Sequence, residues 1–82
     1  MTRYLAVELA PDVRVNALVP GLTMSDTGGP PAGPVTDSLL AMVPMGRAGR
    51  PQEVARAALY LASDAASYTS GTALFVNGGR LW

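Results

Sequence analysis

Three residue types with distinctive chemistry are missing from this sequence. Its 82 residues include no cysteine, no histidine and no lysine. The absence of cysteine excludes disulfides and thiolate chemistry, and it favours a cytoplasmic location, which we expect here. Without histidine or lysine there is no imidazole base, no histidine metal ligand and no lysine for a Schiff base. We therefore expect neither a metal site nor self-contained catalytic machinery in this chain.

Charge clusters and long apolar runs are also absent. Six basic residues balance six acidic ones, and no basic run occurs, so we expect neither nucleic acid nor an anionic membrane as a partner. No apolar run reaches the roughly 18 residues of a membrane span, and the residues after Met1 do not resemble a signal peptide. With 49% apolar residues, the composition predicts one small globular unit.

The spacing of apolar residues predicts a helix, a strand and a loop in the first half of the chain. Residues Thr2 to Ala10 have helical spacing and end before Pro11, like the later part of a longer helix. Residues Val13 to Val19 alternate as a half-buried strand does. Residues Gly21 to Val35 are rich in glycine and proline and predict a long loop, which we interpret as a candidate lid.

The second half of the chain predicts two helices and a second strand. Asp37 is the expected N-cap of a short helix over Ser38 to Met42. Pro51 suits the first position of a longer helix over residues 51–62. Residues Thr72 to Val76 are apolar on both faces, which is typical of a strand inside a parallel sheet. This order predicts a single right-handed βαβ crossover.

The first strand runs directly into Pro20-Gly21, and this junction has two interpretations. A strand that stops at Pro-Gly commonly ends in a plain turn, because proline lacks a ladder donor and glycine tolerates positive φ. Alternatively, the following loop presents backbone groups to a ligand at the carboxyl end of the sheet, where open α/β sheets bind ligands. The junction taken alone favours the plain turn.

Four blocks of sequence together resemble a known family. Residues 5–21, 44–55, 60–71 and 76–79 look like the C-terminal third of a short-chain dehydrogenase/reductase. The resemblance implies an α/β fold: part of a doubly wound, Rossmann-like domain, with the last βαβ crossover of the parallel sheet and its flanking helices. Residues 1–82 would then form the C-terminal portion of an NAD(P)-binding domain.

The same resemblance changes the interpretation of the Pro-Gly junction. In this family the loop after Pro-Gly lies against the nicotinamide of NAD or NADP, so the functional interpretation is now favoured. The positions that correspond to cofactor-binding residues are Pro20, Gly21, Leu22, Thr23 and Ser25. Ser25 stands where many members have threonine, and it keeps the hydroxyl that would bond the carboxamide.

Several hallmarks of the family are absent. The Gly-rich phosphate turn, the catalytic serine and the Tyr-x-x-x-Lys pair do not occur in this sequence. Tyr4 is not the tyrosine of that pair, and Tyr60 and Tyr68 lie in segments expected to pack, so we assign no catalytic residue and expect the isolated chain to be inactive. Asn77 stands where the family usually has aspartate before Gly-Gly.

The resemblance implies an oxidoreductase that transfers hydride between NAD(P)(H) and a carbonyl or alcohol group of a small-molecule substrate. This chain would supply the nicotinamide-side loop, the substrate lid and a dimer edge formed by helix 51–62 and strand 72–76, so we expect a homo-oligomer. The alternative is a noncatalytic remnant that acts only in subunit association.

Three further groups of residues have open interpretations. Arg14 and Asn16 share one strand face, and we expect them to satisfy neighbouring polar groups rather than form a site. The arginines that follow Gly46 and Gly49 resemble an anion-binding turn, although a solvated loop before the helix is favoured. The methionines are equally compatible with a substrate pocket or with filling the core; they are Met24, Met42 and Met45.

Overall fold

The structure is a computed structural model, and it describes residues 1–24 and 34–80. In chain order the elements are helix α1 (Thr2–Leu9), strand β1 (Ala17–Pro20), helix α2 (Pro34–Leu40), helix α3 (Pro51–Ala62), a 3₁₀ turn (Asp64–Ala66) and strand β2 (Ala73–Val76).

Strands β1 and β2 form a parallel pair. Their register runs from Ala17 opposite Ala73 to Pro20 opposite Val76. Helix α3 lies between the strands in sequence and contacts both of them, as expected for the crossover between parallel strands. The predicted α/β fold with a βαβ crossover is confirmed.

Strand β1 begins at Ala17, whereas the sequence predicted a strand over Val13 to Val19. The predicted start of the strand was therefore wrong. The residues before Ala17 bond to the turn that precedes β2 instead of forming a ladder. Val15 donates its backbone N–H to Ser70 Oγ at 3.1 Å, and its carbonyl accepts from Gly71 N at 2.7 Å. The second strand starts at Ala73, one residue later than predicted.

Helix α3 has the predicted bounds, but α2 does not. Helix α2 begins at Pro34 rather than at Ser38, because proline with its fixed φ is well suited to the first helical position. Asp37 is therefore within the first turn and is not the N-cap, and the predicted loop over Gly21 to Val35 ends earlier. Helix α1 ends at Leu9, where Ala10 takes an extended conformation.

The buried core of the described residues is small. The buried apolar residues are Ala6, Val43, Ala48 and Ala66, whereas Leu59 is 68% exposed and Phe75 51%. The accessible surface is 5853 Å², and a folded monomer of this mass exposes about 4,700 Å². The chain thus leaves large apolar side chains uncovered on the sheet and on α3.

Candidate functional site

The site is built where the two parallel strands end side by side. Gly21, the first residue after β1, donates its N–H to the carbonyl of Val76 at 2.9 Å. A Cβ atom on Gly21 would lie 2.8 Å from Asn77 Cβ and 2.9 Å from Asn77 Cα. Glycine is required at position 21 because the backbone of Asn77 passes too close for any side chain.

The loop that leaves β1 is fixed by the backbone of Gly49. Gly49 donates its N–H to the carbonyl of Leu22 at 2.9 Å and accepts from Met24 N at 2.7 Å, so Thr23 and Gly49 form a parallel bridge. The Thr23 hydroxyl donates to the carbonyl of Gly21 at 2.9 Å. Residues 22–24 are therefore held to Gly49 by one hydrogen bond on each side of Thr23.

Arg47 and Glu53, which flank Gly49 in the sequence, form an ion pair. Arg47 donates to both carboxylate oxygens of Glu53, at 2.8 Å and 3.0 Å, in the bidentate geometry that favours strong charge-assisted bonds. Glu53 Oε1 also accepts from Arg50 N at 2.9 Å. The bond from Arg47, followed by that from the Arg50 backbone, lowers the pKa of Glu53 to about 2. The two side chains remain 43% and 31% exposed.

The turn after β2 forms another wall of the site. Asn77 Oδ1 accepts from Gly79 N at 3.0 Å, and Asn77 Nδ2 donates to the carbonyl of Arg80 at 2.9 Å. Gly78 has a φ of +65°, and a Cβ there would lie 2.7 Å from Val43 Cγ1. Aspartate is usual at this position in the family that the sequence resembles. A carboxylate cannot donate a hydrogen bond, so aspartate could not make the bond that the Asn77 amide makes to the Arg80 carbonyl.

A cavity of about 310 Å³ opens between these segments. Its size is near the lower limit of about 300 Å³ for small-molecule sites, and it lies at the carboxyl ends of the strands, where open α/β sheets bind ligands. The lining residues are Leu22, Met45, Arg47, Gly49, Glu53, Phe75, Val76, Asn77, Gly78 and Gly79.

The sequence-predicted cofactor residues are placed only in part by the structure. Pro20 closes β1, Gly21 lies against Asn77, and Leu22 lines the cavity with Thr23 next to it. Ser25 lies outside the described residues. Contact of these residues with a cofactor stays a prediction.

Sequence reasoning missed the Arg47–Glu53 pair and the Gly49 bridge. The loop is solvent-exposed at Gly46, Arg47 and Arg50, as interpreted from the sequence, and Arg47 is in addition paired with Glu53. One signal was present, because Glu53 is the third helical residue, from which an acidic side chain commonly reaches back to the helix start. The bond of Glu53 to Arg47, six residues earlier, could not be predicted in this way, because it depends on the path of the loop between them.

Arg14 and Asn16 satisfy neighbouring backbone groups, as predicted. Arg14 donates to the carbonyls of Leu61 at 2.8 Å and Thr69 at 3.1 Å. Asn16 Nδ2 donates to the same Thr69 carbonyl at 3.0 Å, and Asn16 Oδ1 accepts from Thr72 N at 3.2 Å. These bonds join the start of β1 to the end of α3 and to the approach to β2.

The methionines do not fill the buried core. Met45 is 64% exposed and lines the cavity, and Met42 is 50% exposed. Met24 is half-buried beside the Gly49 bridge. The pocket interpretation is thus compatible with the position of Met45, and substrate contact stays a prediction.

The described residues provide neither a metal-binding cluster nor a membrane-spanning helix. No cluster of carboxylates suitable for a metal ion occurs in residues 1–24 and 34–80. None of the helices formed by those residues is long and apolar enough to cross a membrane.

Comparison with known proteins establishes the family. Residues 1–80 match the family model described as enoyl-(acyl carrier protein) reductase. The chain belongs to the short-chain dehydrogenase/reductase family. It is 46% identical over 79 residues to the 3α-hydroxysteroid dehydrogenase of Mediterraneibacter gnavus and 42% identical over 79 residues to the 3-oxoacyl-[acyl-carrier-protein] reductase of Aquifex aeolicus.

Solved structures of the family agree with the fold. A 7α-hydroxysteroid dehydrogenase complexed with NADH and 7-oxo glycochenodeoxycholic acid superposes with a TM-score of 0.84 at 38% identity, covering 98% of this chain and 32% of that one. A short-chain dehydrogenase/reductase from Brucella melitensis gives 0.79 at 36% identity, covering 100% and 31%. The two curated relatives named above are each covered to 32%, against 95% of this chain. The chain therefore spans about a third of the length of its relatives.

Proposed function

We propose that this chain forms the nicotinamide-side part of the cofactor site in an oxidoreductase that transfers hydride between NAD or NADP and a carbonyl or alcohol carbon. The observation that carries the proposal is the loop after Pro20-Gly21, which is fixed by Gly49 beside a cavity at the carboxyl ends of both strands. Two further facts support it: the two curated relatives named above are a dehydrogenase and a reductase, and one related structure is a complex with NADH.

In this proposal the chain binds and orients the cofactor rather than performing the proton transfer. The nicotinamide supplies or accepts the hydride when it is bound. The Thr23 hydroxyl is already bonded to the Gly21 carbonyl, so Leu22 and Thr23 would act through backbone groups, with the Ser25 hydroxyl as an additional donor. The apolar side chains of Leu22 and Met45 would reduce the access of water to the ring.

The proton that accompanies hydride transfer needs an acid that lies beside the substrate. The three tyrosines of this chain do not line the cavity, and Tyr68 is fully exposed. Lysine, which would lower the pKa of such a tyrosine, is absent. We therefore propose that residues 1–82 are the C-terminal portion of an NAD(P)-binding domain, with the acid supplied from outside this sequence.

Two further roles complete the proposal. The loop predicted over Gly21 to Val35, part of which lies outside the described residues, would serve as the substrate lid. Helix α3 and strand β2 would form a dimer edge, because Leu59 and Phe75 present exposed apolar surface there, and the same patch on two subunits can be buried about a two-fold axis.

A second candidate function is subunit association without catalysis. The observation in its favour is the same exposed apolar surface on α3 and β2, combined with the absence of lysine from the sequence. In this case the cavity would bind no cofactor and the chain would act by covering another subunit.

A hybrid enzyme distinguishes these functions. In it, this chain replaces the matching third of the Mediterraneibacter gnavus dehydrogenase, to which it is 46% identical. We expect the hybrid enzyme to bind the cofactor and to oxidise a 3α-hydroxysteroid or another alcohol with NAD⁺ or NADP⁺ as the hydride acceptor, whereas the 82-residue chain alone shows no turnover. A folded, oligomeric hybrid enzyme that binds neither cofactor would instead support the association role.

A further inference from the structure

A single peptide group connects the Arg47–Glu53 pair to the loop after β1. The carbonyl of Ala48 accepts from Arg47 at 3.2 Å, and the N–H of the same peptide group, that of Gly49, donates to the carbonyl of Leu22 at 2.9 Å. Because a peptide group is planar and rigid, fixing its oxygen also fixes the direction of its N–H.

The connection continues on the other side of Gly49. Its carbonyl accepts from Met24 N at 2.7 Å, which gives the loop a second attachment. At the far end, Glu53 belongs to the first turn of α3 and also accepts from Arg50 N. The start of α3, the ion pair, the Gly49 peptide and residues 22–24 thus form one continuous set of bonds.

We propose that the Arg47–Glu53 pair is a positioning device that holds residues 22–24 in the conformation used for binding the cofactor. Arg47 and Glu53 also line the cavity, and the role proposed here is the one that the pair exerts on residues 22–24 through the Ala48–Gly49 peptide. This inference rests on the proposed function only for its cofactor part, since the bonds themselves are independent of any ligand.

The bidentate geometry is central to the proposal. Arg47 uses one nitrogen for both Glu53 Oε1 and the Ala48 carbonyl, and a second nitrogen for Glu53 Oε2. Lysine would keep the charge but lacks the planar fork that fixes these directions together. Glutamine at position 53 would keep an acceptor for Arg50 N and so preserve the helix start, while losing the charged pair.

The competing explanation is an ordinary surface ion pair. Exposed pairs commonly contribute little, because side-chain ordering and screening offset their attraction. That explanation predicts that removing the pair has no specific effect on residues 22–24, which can be measured directly.

The first test uses hydrogen exchange of the full chain, followed by mass spectrometry of peptides. Arg47→Lys and Glu53→Gln should each speed exchange at Met24 and Gly49 by about two- to fivefold, with little change in the amides of β2. Arg56→Lys and Arg56→Gln, on the exposed face of α3, serve as matched controls and should have no effect. Unchanged exchange at Met24, or an equal increase throughout β2, would overturn the proposal.

The second test uses the hybrid enzyme and separates the two proposals. We expect Glu53→Gln and Arg47→Lys to raise KM for the cofactor by about two- to fivefold while KM for the alcohol stays unchanged. An inactive hybrid that binds no cofactor would count against the proposed function, and the exchange result would still decide whether the pair positions the loop. An active hybrid with unchanged cofactor KM in both variants would refute the positioning role.

Discussion

Gly21 and Asn77 approach so closely that a Cβ on Gly21 would lie 2.8 Å from that of Asn77. The contact is set by the register of the parallel strands, in which Pro20 lies opposite Val76. Gly21 and Asn77, the residues that follow these two, therefore lie side by side. The requirement for glycine at the Pro-Gly junction is therefore steric and comes from the neighbouring strand.

We predict that Gly21→Ala destabilises the hybrid enzyme by about 1–3 kcal/mol, the usual cost of forcing atoms into a packed site. The matched control is Gly49→Ala, because among the described residues a Cβ there meets only the Leu22 carbonyl, at 3.7 Å. Denaturant unfolding would measure both variants. Equal stability of the two variants would show that the strand ends separate more easily than the structure indicates.

The plan of the fold could be predicted from sequence because it depends on local patterns. The apolar stripe after Pro51 and the apolar run ending at Val76 each specify an element, and their order specifies the crossover. The start of β1 could not be predicted, because Val15 has strand character but bonds to Ser70 and Gly71 in a distant turn. The alternation of side chains is the same in either case.

The location of the candidate site at the end of β1 could be predicted from the sequence, but the contacts that build the site could not. A Pro-Gly pair after an apolar run commonly marks the end of a strand. The approach of Asn77 and the attachment of the loop to Gly49 depend on strand register and on the path of the residues before α3. These are long-range features that no short stretch of sequence encodes.

Asn77→Asp should weaken the turn after β2. The carboxylate could still accept from Gly79 N, but it would face the Arg80 carbonyl, to which the amide now donates at 2.9 Å. We expect a loss of about 0.5–1.5 kcal/mol in the hybrid enzyme at neutral pH, the net contribution of one hydrogen bond. Asp12→Asn, at an exposed position, provides the opposite charge change as a control. If Asn77→Asp unfolds at the same denaturant concentration as the parent, the Arg80 bond contributes nothing.

The ion pair should make stability depend on pH in acid. The folded-state pKa of Glu53, about 2, lies below its ordinary value of 4.5, so the folded state favours the ionised carboxylate. Its contribution is present above pH 4.5 and is lost as the pH falls from there toward 2. Unfolding of the hybrid enzyme and its Glu53→Gln variant at pH 6 and pH 3 would show a difference at pH 6 that shrinks at pH 3. A constant difference would mean that the pair does not lower this pKa.

The Ser25 hydroxyl provides a test of the cofactor loop that is independent of the ion pair. We predict that Ser25→Ala weakens binding of NADH or NADPH to the hybrid enzyme by about 0.5–1.5 kcal/mol, as expected for one hydrogen bond. Arg56→Ala on the exposed face of α3 should leave binding unchanged. Titration followed by cofactor fluorescence would measure both, and a larger loss for Arg56→Ala would place the cofactor elsewhere.

The 82-residue chain should self-associate when purified alone. In the described residues the sheet has two strands, so one edge of β1 offers unpaired backbone groups, and such edges favour association. Leu59 on α3 and Phe75 on β2 add exposed apolar surface.

Replacing both Leu59 and Phe75 with glutamate should reduce association through α3 and β2, whereas Gln52→Glu, at an exposed polar position, should not. Analytical ultracentrifugation combined with amide exchange would measure the effect. A monodisperse monomer with slowly exchanging amides in both strands would show that the small core of this chain is sufficient for an independent fold.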